Sequence, residues 1–263
     1  MKTNYHTHIY LCKHATGTIN EYVEKAIAHG YSEIGISDHG PLSDELMHSL
    51  NSRRMSMDEF YNIYLQDLEY AKVNYADRIR VLSAVEIEYL EEIKDLYPEF
   101  LKVLDYLVLG QHMIYENGKY VNIYEKTYTA EELDIYASTI EKALETGYFK
   151  ILAHPDLFMW SYKVWDEHAI ECSRRIIKSA IKNNVYLEFN ANGVRRSAFT
   201  DTDGTINYVY PRLEFWKLQK NEFDYDKILI NDDCHSLADF DDEYTTEARF
   251  VCKKLKLKIK DRI

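Results

Sequence analysis

Only four cysteines, Cys12, Cys172, Cys234 and Cys252, are scattered through the 263 residues, and no two form a CxxC pair. That spacing argues against a structural thiolate zinc site, so free thiols are expected. Glycine and proline are also scarce, at 9 and 4 residues, which argues against a disordered or linker-rich chain. No apolar run approaches the length of a membrane span. The opening residues, MKTNY, lack the apolar core of a secretory signal. These absences make the cytoplasm the expected compartment. Positive charge is short as well: 32 Lys and Arg face 44 Asp and Glu, a net charge of −12. Such a surface repels a phosphate backbone and disfavours a nucleic-acid partner. The one basic run, KKLKLKIKDRI at 253–263, reads as the solvated face of a terminal helix or strand.

What is present is a regular alternation. Short β-rich apolar runs occur at 3–7, 33–37, 79–87, 106–110, 149–153, 185–189 and 227–231. Helical patterns lie between them. In INEYVEKAIAHG, Ile19, Val23, Ala26 and Ile27 repeat at helical spacing, and Gly30 supplies a stop. Strands alternating with helices imply βαβ units and a parallel sheet. Seven units without a repeat or linker suggest one α/β domain over 1–263, a barrel more than an open sheet. Residues 40–57 and 190–210 break the alternation and read as long loops after strands. In α/β barrels such loops wall the active face. The 23 tyrosines suit barrel and cleft walls, where a ring is buried and a hydroxyl stays wet.

Seven of the ten histidines fall at or just beyond an expected strand end: His6, His8, His14, His39, His112, His154 and His235. His29, His48 and His168 fall in helices or a loop. Carboxylates join the first group: Asp38, Glu86, Glu88, Asp156, Glu188, Asp232 and Asp233. In His6-x-His8 and Asp233-x-His235, residues two apart on a strand point to one side. If seven strands form one barrel, these groups converge on one mouth. Divalent cations would relieve the cost of gathering them. Mixed imidazole and carboxylate donors suit Zn²⁺, Fe²⁺ or Mn²⁺ better than Ca²⁺.

The motifs HTH, CKHATG, SDH, AVE, GQH, AHPD and DDCH occur in an order that resembles the PHP (polymerase and histidinol phosphatase) family, along nearly the whole chain. The stretch from CKHATG to SDHGPL looks most like its stand-alone histidinol-phosphatase branch. The resemblance implies a distorted seven-stranded (β/α) barrel, TIM-like, with three divalent metal ions at the C-terminal ends of the strands. It assigns His6, His8, Glu86 and Asp233 to the first ion. Glu86, as a bridge, takes the second with His112 and His154. His14, His39 and His235 take the third. Glu86 is preferred to Glu88 because the family carboxylate is the earlier one in this motif; strand register does not separate them. Cys234 stands where a small residue such as Ala is usual, and a packing role is expected for it.

The activity implied is hydrolysis of a small phosphomonoester, L-histidinol phosphate, by attack of a metal-bound hydroxide, with Glu86 and Asp233 in the catalytic centre. The leaving alcohol needs a proton, from a metal-bound water, His39 or Asp156. For the phosphate, Arg195 and Arg196 are candidates, and then Arg53 and Arg54. The alternatives are another phosphomonoester, a phosphotyrosine protein, a nucleic acid in an exonuclease, or a catalytically silent metal-binding domain. Oligomeric state does not follow from the sequence.

Overall fold

A computed structural model describes residues 1–200, 204 and 206–263. Seven strands form the expected parallel sheet: β1 (Lys2–Asn4), β2 (Tyr31–Ile36), β3 (Arg80–Ile87), β4 (Tyr106–Leu109), β5 (Ile151–Leu152), β6 (Tyr186–Asn190) and β7 (Ile228–Asn231). They are hydrogen-bonded in chain order, each neighbour parallel to the next. The sheet curls into a nearly closed barrel. At its seam β1 and β7 are stitched by side-chain amides: the Asp232 N–H donates to Asn4 Oδ1 and the Tyr5 N–H to Asn231 Oδ1, each at 2.9 Å. Just above, the His8 N–H donates to the Cys234 carbonyl at 3.1 Å.

The helices form because their ends are capped and one face is apolar. Ile19–Ala28 starts with a capping box between Thr18 and Glu21, and Ala130–Glu145 with one between Thr129 and Glu132. Their buried faces, such as Tyr22 and Val23 or Leu133 and Ile140, cover the outside of the sheet. The inside is a separate core that includes Tyr5, Leu82, Tyr106, Ile151, Tyr186 and Leu229. Gly35 makes room for it, since a Cβ there would overlap the Tyr106 hydroxyl. The basic tail is more than a solvated face. Ile259 pairs with Ile228, and Ile263 packs against the inner core at the lower mouth. The chain ends meet there: the Met1 ammonium lies 3.5 Å from Asp261 Oδ2.

The two stretches expected as loops carry some structure of their own. Residues 40–57 contain the helix Asp44–Ser49. Residues 190–210 contain the helix Ala191–Arg196 and the paired strands Ala198–Thr200 and Ile206–Tyr208; 201–203 and 205 lie outside the described residues. A hairpin, Met113–Glu116 with Lys119–Asn122, follows β4. No helix among the described residues is long and apolar enough to cross a membrane.

Candidate metal centre

The strands stop before most of the histidines begin. β1 ends at Asn4 and β7 at Asn231, so His6, His8, Asp233 and His235 sit in the turns above them, not on the strands. Two of these turns are conformationally demanding. His154 and Asp233 have φ of 30° and 44°, a region that costs a residue with a Cβ about 1–3 kcal/mol. In both cases the strained backbone aims a side chain inward. Glu86, near the end of β3, is accommodated by Gly110 after β4, where a Cβ would overlap its carboxylate.

These residues converge. His6 Nε2 and His8 Nε2 face each other at 3.0 Å, and each lies 3.6 Å from Glu86 Oε2. Asp233 Oδ1 is 3.1 Å from His8 Nε2 and 3.6 Å from His6 Nε2. The other oxygen of Glu86 is 3.0 Å from His154 Nε2 and 3.9 Å from His112 Nε2, while Oε2 meets His39 Nδ1 at 3.0 Å. Donor atoms of His6, His8 and Glu86 lie within 4.8 Å of one another, as do those of Glu86, His112 and His154, and those of His8, His39 and His235. His14 stands beside the last group, its ring 5.1 Å from those of both His39 and His235.

The rings are held from behind. Nδ1 of His6 faces Glu188 at 2.8 Å, that of His8 faces Asp38 at 3.3 Å, and that of His112 faces Glu88 at 3.0 Å. Nδ1 of His14 and of His235 face backbone carbonyls at 2.8 and 3.2 Å. Those acceptors call for a proton on Nδ1, which leaves the Nε2 lone pair pointing inward, the tautomer that binds an ion through Nε2. Two lone pairs 3.0 Å apart, with carboxylates beside them, repel unless a cation or proton lies between. The residues therefore fit divalent ions, and their donor set suits zinc, iron or manganese.

Electrostatics show the same strain. Burial opposes ionisation of Glu86 and Asp233, yet His6 and the other facing rings hold both well below the usual carboxylate range. Burial also opposes a charge on His8, but hydrogen bonds to Asp233 and Asp38 raise its pKa to about 9. His39 goes the other way, to about 4, through burial and repulsion by His8. One cluster thus holds a ring that keeps its proton and a ring that cannot take one.

Above this floor opens a cavity of about 690 Å³. His14, His39, Glu86, His112, His154, Asp233 and His235 border it, as do Arg53, Arg54 and Arg196. Among the described residues, the Arg196 guanidinium makes no hydrogen bond or ion pair within the chain. Two expected site residues are placed elsewhere. Arg195 is turned outward, its Nε bound to Asp242 at 2.8 Å and its guanidinium over Tyr244. Asp156 does not line the cavity; its Oδ2 accepts from the Arg212 N–H and from Trp216 Nε1. Burial raises its pKa to about 7. Sequence reasoning expects Asp38, Glu88 and Glu188 at this mouth only as part of the converging group; the structure puts each behind a ring. Sequence reasoning missed Asn122, Tyr124, Asn192 and Tyr210 on the cavity wall, which arrive on the hairpin and the later loop.

A family model of the PHP domain matches residues 4–192. The chain belongs to the PHP domain family. The PHP match ends just after β6, so Asp233 and His235 lie beyond it. A Bacillus subtilis protein named histidinol-phosphatase is 22% identical over 263 residues, covering 90% of this chain and 95% of its own. A solved structure from Listeria monocytogenes superposes with a TM-score of 0.69 at 21% identity, over 93% of this chain and 99% of that one. A histidinol phosphate phosphatase from Lactococcus lactis, solved with zinc, L-histidinol and phosphate, gives a TM-score of 0.70 at 16% identity, over 98% and 95%. The two superpositions show that this PHP barrel is a fold shared across distant sequences.

Proposed function

We propose that the chain is a metal-dependent phosphomonoesterase acting on L-histidinol phosphate. The observation that carries the metal dependence is the inward set of Nε2 lone pairs around Glu86 and Asp233. The relatives named for histidinol phosphate support the substrate. His6, His8, Glu86 and Asp233 would hold a first ion, Glu86, His112 and His154 a second, and His14, His39 and His235 a third. Bound there, divalent ions supply Lewis-acid stabilisation of phosphoryl charge and acidify water.

The chain's own groups do the rest. Arg196 borders the cavity with its guanidinium donors uncommitted and meets the phosphate; Arg53, which borders the same cavity, is the second candidate. Glu188, Asp38 and Glu88 fix the rings, so no reorganisation is needed as charge develops. Of the two side chains considered for the leaving-group proton, His39 borders the cavity, but burial and His8 keep its ring unprotonated, so water in the cavity is the better source. Asp156 instead ties the segment at Arg212 and Trp216 to the turn after β5.

A second reading has its own observation. The cavity's one carboxylate outside the proposed ion sites, Glu88, is already paired with Arg54, so among the described residues no free acid awaits a substrate ammonium. Another phosphomonoester therefore competes for the assignment. Phosphate release from L-histidinol phosphate, p-nitrophenyl phosphate and bis-p-nitrophenyl phosphate, before and after chelation, separates the cases. Preference for histidinol phosphate, abolished by chelation, is expected. Equal turnover of both monoesters moves the substrate, and a preference for the diester points to a nuclease.

A further inference from the structure

Arg54 differs from the other arginines on the cavity wall. It is buried, and most of its donors are spent. Nη1 and Nη2 donate to the two oxygens of Glu88 at 3.0 and 3.2 Å. Nη1 also donates to the Gly40 carbonyl at 3.3 Å, and Nε to Ser52 Oγ at 2.9 Å. Glu88 is buried too, and its Oε1 faces His112 Nδ1 at 3.0 Å. A continuous link thus runs from the loop after β2, through the turn after β3, to the ring after β4.

Each joint fixes the next. A two-pronged guanidinium pair sets the plane of the carboxylate. A carboxylate held in that plane sets the tautomer and rotation of the imidazole it accepts from. An arginine so engaged has little left to offer a phosphate.

We propose that Arg54 is a positioning residue that acts through Glu88 on His112, and so sets the affinity of the ion held by Glu86, His112 and His154, rather than contacting substrate. The inference rests on the metal-dependent reading of the site.

The test is retention of zinc. The zinc-loaded protein is equilibrated with chelators of increasing strength, and bound zinc per chain is measured by mass spectrometry. Arg54→Lys keeps the charge but loses the two-pronged pair, and Glu88→Gln loses the charge that Arg54 grips. Each is expected to release one ion to a chelator about 10–100-fold weaker than the parent requires. The double variant should be no worse than the worse single one, because both break one link. At saturating zinc, Arg54→Lys should lower kcat for p-nitrophenyl phosphate and leave KM near the parent's. Parental zinc retention in Arg54→Lys with a raised KM would overturn the proposal and make Arg54 a substrate contact. Additive losses in the double variant would also overturn it. A parent that retains no zinc sinks the metal-dependent reading itself. A zinc-retaining parent with indistinguishable variants sinks only the role of Arg54.

Discussion

The two mouths of the barrel are built by the same seven strands and treat buried charge in opposite ways. At the lower mouth Glu33 is buried, but it has fixed partners: the Tyr5 hydroxyl at 2.7 Å, Arg262 at 2.8 Å and Arg80 at 3.4 Å. Around it Tyr106, Tyr186 and Leu229 fill the interior and Ile263 caps them. At the upper mouth Glu86 and Asp233 face rings whose lone pairs also point inward. Below, the buried carboxylate is answered within the chain. Above, the inward donors fit an ion that the chain itself does not supply. Stability and chemistry are thereby separated along one axis, so each end can be altered with little change at the other.

Substitutions at each end test that separation. Asp233→Ala should lower turnover by about 1,000-fold or more, since it removes a central donor, and bound metal should fall with it in the same preparation. Unchanged turnover would remove Asp233 from the site. Gly110→Ala adds a Cβ against Glu86, and a carboxylate pushed aside should cost about 100-fold in kcat. Its counterpart Gly35→Ala crowds Tyr106 and should cost about 1–3 kcal/mol in denaturant unfolding while kcat stays near the parent's. A large kcat loss there would break the comparison. Arg196→Ala should raise KM for a phosphomonoester about tenfold with unfolding unaffected. The smallest effect belongs to Arg262→Ala. That arginine is half exposed and Glu33 keeps Arg80 and Tyr5, so the melting temperature should fall by no more than about 3 °C.

Much of this separation was legible in the chain. Periodicity located all seven strands to within a few residues, because parallel strands covered on both faces are continuous apolar runs. The convergence of the histidines followed from the barrel, not from any one motif. Local pattern could not show what holds each ring. Glu188 reaches His6 from a strand 182 residues away in sequence, a pairing only the closed barrel creates. Nor could it distinguish Arg195 from Arg196. They are neighbours on one short helix, yet Asp242 claims the first and leaves the second in the cavity. The 40–57 and 190–210 stretches read as long loops because their elements are too short for periodicity to register.

The contact between Met1 and Asp261 has a practical consequence. Because Met1 and Asp261 meet beneath the barrel, a short linker can join the two ends of this 263-residue stretch without stretching either one. New ends can then be opened at the exposed turn around Ala76 and Asp77, before β3. Such a circularly permuted chain would keep every strand in its place while changing which strand is made first. It offers a way to ask whether this barrel must be assembled in the order in which it is written.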